Sequence, residues 1–234
     1  MSLVSKLLKR YLISSLTNTP WELSTPTRNA DTKPNFVLPD GTEPLIFNVT
    51  HQAGIVGVCA ALNPPQGLQI GMDIVYPAER RAHDIEIMSN SGLRGFMEIY
   101  QSVLCAKELD ALCAMGLADP DEKLRYFYTL WCLREAYVKM TGEALLASWL
   151  GDLEMRHYAP PEVVADEGDK LEVWFGGNMV RNVRKWLVNY DQRFVICTFL
   201  RDGEESGELD FGEFTSVSMH DLVSSGEYVK ERNK

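Results

Sequence analysis

The stretch Trp131-Cys132-Leu133-Arg134-Glu135-Ala136-Tyr137-Val138-Lys139 sets three charges inside an otherwise apolar helical run, and upstream Gly71-Met72-Asp73-Ile74 offers a carboxylate late in an apolar strand. On a helix, residues four apart emerge from one face, so Glu135 and Lys139 stand about 5 to 6 Å apart. One face therefore carries a metal-capable oxygen beside a cation. The run around them, Pro120 to Gly142, reads as a helix with Pro120 near its first turn and Gly142 at its end. Its apolar residues go nearly all round, which predicts burial.

Working outward, Ser2 to Ser15 reads as a helix with Leu3, Leu7, Leu8, Tyr11 and Leu12 as its apolar stripe and Ser2 as its cap. Asn18 to Gly41 is rich in Pro, Thr, Asn and Asp and reads as an irregular surface segment carrying Arg28 and Lys33. Pro44 to Val49, Ile55 to Ala61 and Leu68 to Val75 read as strands of an antiparallel meander. Leu93 to Leu104 and Ala106 to Met115 read as helices. Lys170 to Gly176, Val183 to Tyr190 and Phe194 to Leu200 read as strands, the last two joined by a turn at Asp191-Gln192. Helix followed by strands thus occurs twice, which predicts an α+β fold of two similar halves. The expected divisions are an amino-terminal half over 1–78, a carboxy-terminal half over 79–200, and an acidic, disordered tail over 201–234.

With 234 residues and 45% apolar content, the chain has ample material for a buried core. No apolar run approaches the roughly 20 residues of a membrane span, and no secretory signal is recognisable, so a soluble cytoplasmic location without membrane partners is expected. The five cysteines are odd in number and never in a Cys-x-x-Cys pattern, which suits reduced core thiols and suggests neither disulfides nor zinc. A net charge of −10 argues against nucleic-acid binding, which needs a positive stripe. Nine acidic and four basic residues after Leu200 place half of that charge in the tail.

Each candidate residue has a plain reading beside the chemical one. Asp73 suits the polar face of a strand as well as a cleft, and Glu135 with Lys139 suits a surface ion pair. Trp131, Leu133, Tyr137 and Val138 weigh against a solvated face. Two carboxylates with no Cys or His at ligand spacing favour a hard ion, Mg²⁺ above all, and with it phosphate chemistry. Lys139, Arg28, Lys33 and Arg134 would then neutralise phosphate oxygens, and His51 would donate to one.

Taken together, Phe47-Asn48-Val49-Thr50-His51-Gln52, Gly71-Met72-Asp73-Ile74 and the Trp131 to Lys139 stretch, in that order, resemble the motif set of the 4′-phosphopantetheinyl transferases. The larger, surfactin-synthetase-activator type is the match, over roughly residues 2 to 200. Leu104-Cys105-Ala106-Lys107-Glu108 looks like that family's Phe-Ser/Thr-x-x-Glu segment with only the glutamate kept. The resemblance implies two α+β halves with Mg²⁺ and coenzyme A in the cleft between them. It assigns Asp73 and Glu135 to the metal, Lys139 to the pyrophosphate, Thr50 and His51 to the coenzyme A phosphates, and Arg28 and Lys33 to the nucleotide end. Arg134 joins the cofactor-binding set.

The implied reaction is Mg²⁺-dependent transfer of 4′-phosphopantetheine from coenzyme A to a serine of apo acyl carrier and peptidyl carrier domains, releasing 3′,5′-ADP. Glu135 would take the serine proton, directly or through a metal-bound water. Two departures from the pattern stand out. Val75 replaces a third acidic residue, and the strand and helix that usually precede the segment like Ser2 to Ser15 are absent, so an incomplete amino-terminal half is expected. Thr141-Gly142-Glu143-Ala144-Leu145-Leu146 resembles fungal members with broad carrier specificity. The rival readings are a Mg²⁺-dependent phosphohydrolase and a truncated, non-catalytic paralogue that binds coenzyme A or carriers.

Overall fold

The computed structural model of the chain describes residues 3–29, 33–116, 119–143, 147–161, 170–203 and 211–224. The elements run α1 (Leu3–Thr17), β1 (Thr27–Arg28), β2 (Pro34–Asn35), β3 (Leu45–Gln52), β4 (Ile55–Leu62), β5 (Gln69–Val75), α2 (Arg81–Glu98), α3 (Ala106–Ala114) and α4 (Pro120–Thr141). They continue with β6 (Leu153–Arg156), β7 (Glu172–Phe175), β8 (Asn178–Met179), β9 (Val183–Tyr190) and β10 (Phe194–Arg201). The α+β class expected from the element order is what the chain adopts. Among the described residues no helix is long and apolar enough to cross a membrane.

Helix α4 forms as its sequence dictates. Asp119 accepts a hydrogen bond from the Asp121 N–H, Pro120 occupies the first turn, and Gly142 ends the helix at φ 89°. From Phe127 to Met140 every residue is buried except Trp131, Glu135 and Lys139, which stand four apart and form one open stripe.

The expected meander is corrected. β3 and β4 do pair, through a two-residue turn in which Ala53 and Gly54 both have positive φ, 47° and 85°. β5, however, pairs with β10 along its whole length, Asp73 opposite Cys197, and β9 flanks β10. β5 is buried on both faces: Met72 and Ile74 pack with Phe194 and Ile196, while Val75 packs with Val195, Cys197 and Phe199 in the main core. Such a strand needs a neighbour buried on both faces, which β10 is and β4, with Ala60 and Leu62 exposed, is not.

The other edge of β5 faces β3, and side chains replace the ladder there. Asn48 Oδ1 accepts from the Met72 N–H at 3.1 Å and Gln52 Oε1 from the Tyr76 N–H at 3.0 Å. Asn48, Thr50 and Gln52 alternate along β3, so all three face β5 while Leu45, Phe47 and Val49 face α1.

Further differences are local. The helix expected over Leu93 to Leu104 starts at Arg81 and ends at Glu98, with Gly92 (φ 71°) kinking it. Its first turns bury Asp84 and Met88 rather than an apolar stripe, which hid them. α1 extends to Thr17, and its expected cap Ser2 lies outside the described residues, as do Ala144, Leu145 and Leu146. The segment read as irregular contains the small β1–β2 pair. Within the tail read as disordered, residues 211–224 are placed: Phe211 and Phe214 stack on Trp186, centroids 6.0 and 4.6 Å away, and Leu222 is buried.

Candidate active site

β3, β5 and α4 bring three polar side chains together. Lys139 Nζ donates to Asp73 Oδ1 at 2.5 Å and to Thr50 Oγ1 at 3.1 Å, and the Thr50 hydroxyl donates to Asp73 Oδ1 at 3.0 Å. Asp73 and Thr50 are 6% and 4% exposed, so this triangle is built in rather than resting on the surface. Burial pushes the Asp73 carboxyl up, and Lys139 followed by Thr50 pulls it back.

Glu135 lies one turn from Lys139 on the open stripe. Burial, then the charge of Asp73, raises its carboxyl to about 7, against a pull downward from Lys139. Its carboxylate makes no hydrogen bond among the described residues. Two carboxylates thus share one ammonium, leaving a negative charge in a half-buried place. No group of three His, Cys, Asp or Glu side chains converges among the described residues. A cation held here would take oxygens from Asp73 and Glu135 and complete its shell with water or substrate oxygens, which suits Mg²⁺. Val75 is buried in the core and offers no donor.

Gly71 explains why the helix can lie so close. A Cβ built on it would stand 2.2 Å from the Ala136 carbonyl and 2.3 Å from the Met140 N, the turn that carries Glu135 and Lys139. On the same face of β5, the Asp73 carbonyl receives the Cys132 thiol at 3.5 Å. Glycine two residues before the aspartate is therefore a packing requirement of the site, and sequence reading took it only as part of a motif. Asn48 and Gln52, quoted with Thr50 but given no role, are what hold β3 at the edge of β5.

The remaining candidates fall in different places. Lys33 donates to the Met140 carbonyl at 2.7 Å and lies against Gly142, so it reaches the end of α4 within a turn of Lys139. His51 follows Thr50 on the strand, faces the opposite side and is exposed. Arg28 is exposed on β1, and burial followed by the charges of Arg28 and Lys6 lowers the pKa of Lys9, a cation buried on α1.

Arg134 is a correction. It is 1% exposed and turned away from the cleft, where it donates to Glu108 at 2.7 Å and to the carbonyls of Leu153 at 2.9 Å and Leu150 at 2.5 Å. An arginine one residue before Glu135 on a helix points about 100° round from it, and here that direction is the interior. Glu108 also accepts from the Cys105 and Met155 N–H groups and closes a capping box with Cys105. The Leu104 to Glu108 segment is thus a structural anchor for α4.

Residues 69–176, which span β5, α4 and the anchor between them, match the 4′-phosphopantetheinyl transferase superfamily. The chain is 46% identical over 231 residues to 4′-phosphopantetheinyl transferase 1 of Fusarium mangiferae, covering 97% of this chain and 78% of that protein. It is 34% identical to 4′-phosphopantetheinyl transferase NpgA of Emericella nidulans, covering 87% of this chain and 70% of the relative. To 4′-phosphopantetheinyl transferase A of Aspergillus fumigatus it is 30% identical, over 94% and 77%. The resemblance read from the three ordered motifs holds. The chain belongs to the 4′-phosphopantetheinyl transferase superfamily and is a transferase.

Proposed function

We propose that the chain transfers 4′-phosphopantetheine from coenzyme A to a serine of apo acyl carrier or peptidyl carrier domains. The observation that carries this is the convergence of Asp73, Glu135 and Lys139, with Thr50, at the contact of β5 and α4. Thr50 and Asp73 come from residues 1–78, and Glu135 and Lys139 from 79–200, so the proposed division into two halves places the site between them.

In this reading Asp73 and Glu135 hold Mg²⁺, which when bound neutralises charge on the pyrophosphate. Glu135 accepts the proton of the carrier serine hydroxyl. The serine oxygen forms its bond to the β-phosphorus of coenzyme A as the bond to the 3′,5′-ADP oxygen breaks. Lys139 is placed to balance the charge that gathers on that departing phosphate, and Thr50 fixes the Lys139 amine beside Asp73. Lys33, at the end of α4, and Arg28 supply positive charge for the nucleotide end. A cytoplasmic site of action is part of the proposal.

Incubation with coenzyme A, Mg²⁺ and an apo carrier domain, followed by intact mass, tests it. The carrier is expected to gain one phosphopantetheine group. Release of phosphopantetheine or phosphate with an unmodified carrier would instead make water the nucleophile and refute the proposal.

A further inference from the structure

The sheet of β5, β10 and β9 has two faces, and α4 packs on only one of them. On the other face the register aligns Ile74, Ile196 and Val188 across the three strands, and beside them Met72, Thr198 and Trp186. The β3–β4 hairpin lies on the β5 side of this face: a Cβ on Gly57 would stand 2.8 Å from Ile74 Cδ1 and 2.9 Å from Met72 Cε. Residues 211–224 lie on the β9 side. Phe211 and Phe214 stack on Trp186, Phe214 meets Tyr190 edge-on with centroids 5.9 Å apart, and the Tyr190 and Ser216 hydroxyls are 3.2 Å apart. Ser218 and Asp221 each accept the other's backbone N–H, at 3.2 and 3.0 Å, and so open a helical turn whose Leu222 is 2% exposed.

Phe211 marks where the two covers meet. It packs against Leu68, Ile70 and Leu200, and on that same cluster sit Ile46, Cys59 and Ala61 of the hairpin. The chain is also tied down as it leaves the sheet. Gly203, two residues after β10, lies so close to the β4–β5 connection that a Cβ on it would be 2.1 Å from the Gln66 carbonyl oxygen. Among the described residues the hairpin shares no backbone ladder with β5, and the side chains of Asn48 and Gln52 bridge the two instead. Its seat is therefore set by packing, and packed groups shift when a neighbour is removed.

We infer that residues 211–224 form a strap that seats the β3–β4 hairpin on β5, with Phe211 and Phe214 as positioning residues for Thr50. That hydroxyl meets Lys139 at 3.1 Å and Asp73 at 3.0 Å across the junction the strap holds shut. The consequence for the reaction rests on the transferase reading of the site above. A loosened hairpin withdraws Thr50 from Lys139, so the group that faces the pyrophosphate is assembled for only part of the time, and coenzyme A binds more weakly in proportion.

The test is the double variant Phe211→Ala with Phe214→Ala in the full chain, beside the conservative pair Phe211→Leu with Phe214→Tyr. Val173→Ala, which opens the main core on β7 in a different sheet, controls for general loss of stability. Hydrogen exchange read by mass spectrometry should show the β3–β4 amides of the alanine double exchanging about ten-fold faster or more than native, with α3 unchanged and the conservative pair restored. Calorimetric titration with coenzyme A in Mg²⁺ should show affinity about five-fold weaker or more in the alanine double and unchanged in Val173→Ala. Faster exchange in the hairpin and not in α3 supports the strap even where the native protein binds no coenzyme A, in which case only the transferase reading fails. Hairpin exchange equal to native, or raised equally throughout the chain, overturns the strap while leaving the transferase reading intact. Native coenzyme A affinity in a double whose hairpin has loosened, or an equal loss of affinity in Val173→Ala, overturns the positioning role.

Discussion

A Cβ on Gly71 would lie 2.2 Å from the carbonyl oxygen of Ala136, so β5 and α4 meet backbone to backbone at the turn that presents Glu135 and Lys139. The 2.5 Å contact between Lys139 and Asp73 depends on that approach. Gly71→Ala must push the helix away, since the atoms it meets belong to backbone and cannot rotate aside. It should cost about 1–3 kcal/mol of stability, read by urea denaturation, and reduce transfer more than a surface glycine substitution such as Gly151→Ala. An alanine variant with native stability and rate would remove the packing argument.

The pH behaviour of Glu135 has a definite sign. In the metal-free protein its carboxyl is raised from 4.5 to about 7, so between those values the folded chain holds a proton that the unfolded chain has lost. Its contribution to stability is therefore full below the unfolded value and disappears as pH rises to about 7. Thermal unfolding in a chelator should show Glu135→Gln gaining on the native protein as pH rises from 5 to 7.5. Added Mg²⁺ should release protons at pH 6 from the native protein and fewer from the variant, measured calorimetrically in buffers of different ionisation enthalpy. No difference between the two proteins across this range would contradict the assigned burial and coupling.

Arg134 separates the anchor from the cofactor contact once expected of it. Arg134→Lys keeps the charge but loses the fork that holds Glu108 and two carbonyls, so stability should fall by about 1–3 kcal/mol. The coenzyme A KM of the folded variant should stay within about two-fold of native, because a residue buried behind the helix makes no ground-state contact with the substrate. A large rise in coenzyme A KM with unchanged stability would restore the original reading.

Much of this site was legible because helix spacing fixes local geometry. Glu135 and Lys139 had to share a face, and the caps Pro120 and Gly142 bounded the helix correctly. What failed was long-range pairing. β5 reads as the third strand of a meander because adjacent strands usually pair, yet its burial on both faces calls for β10, well over a hundred residues later. Alternation along β3 was visible in Asn48, Thr50 and Gln52, but their role as hydrogen-bond acceptors and donors toward β5 required knowing which edge they meet. Arg134 was misassigned for a related reason. In a helix buried nearly all round, sequence cannot say which polar residue faces the cleft and which faces an interior partner such as Glu108.

In the proposed reaction Asp73 and Glu135 carry phosphopantetheine transfer. The most direct measurement is the single-turnover rate of carrier modification, by intact mass with saturating coenzyme A and Mg²⁺, for the native protein, Asp73→Asn and Glu135→Gln, each confirmed folded by circular dichroism. Both substitutions should slow transfer by about 10²-fold or more. Transfer by either folded variant at close to the native rate would contradict it.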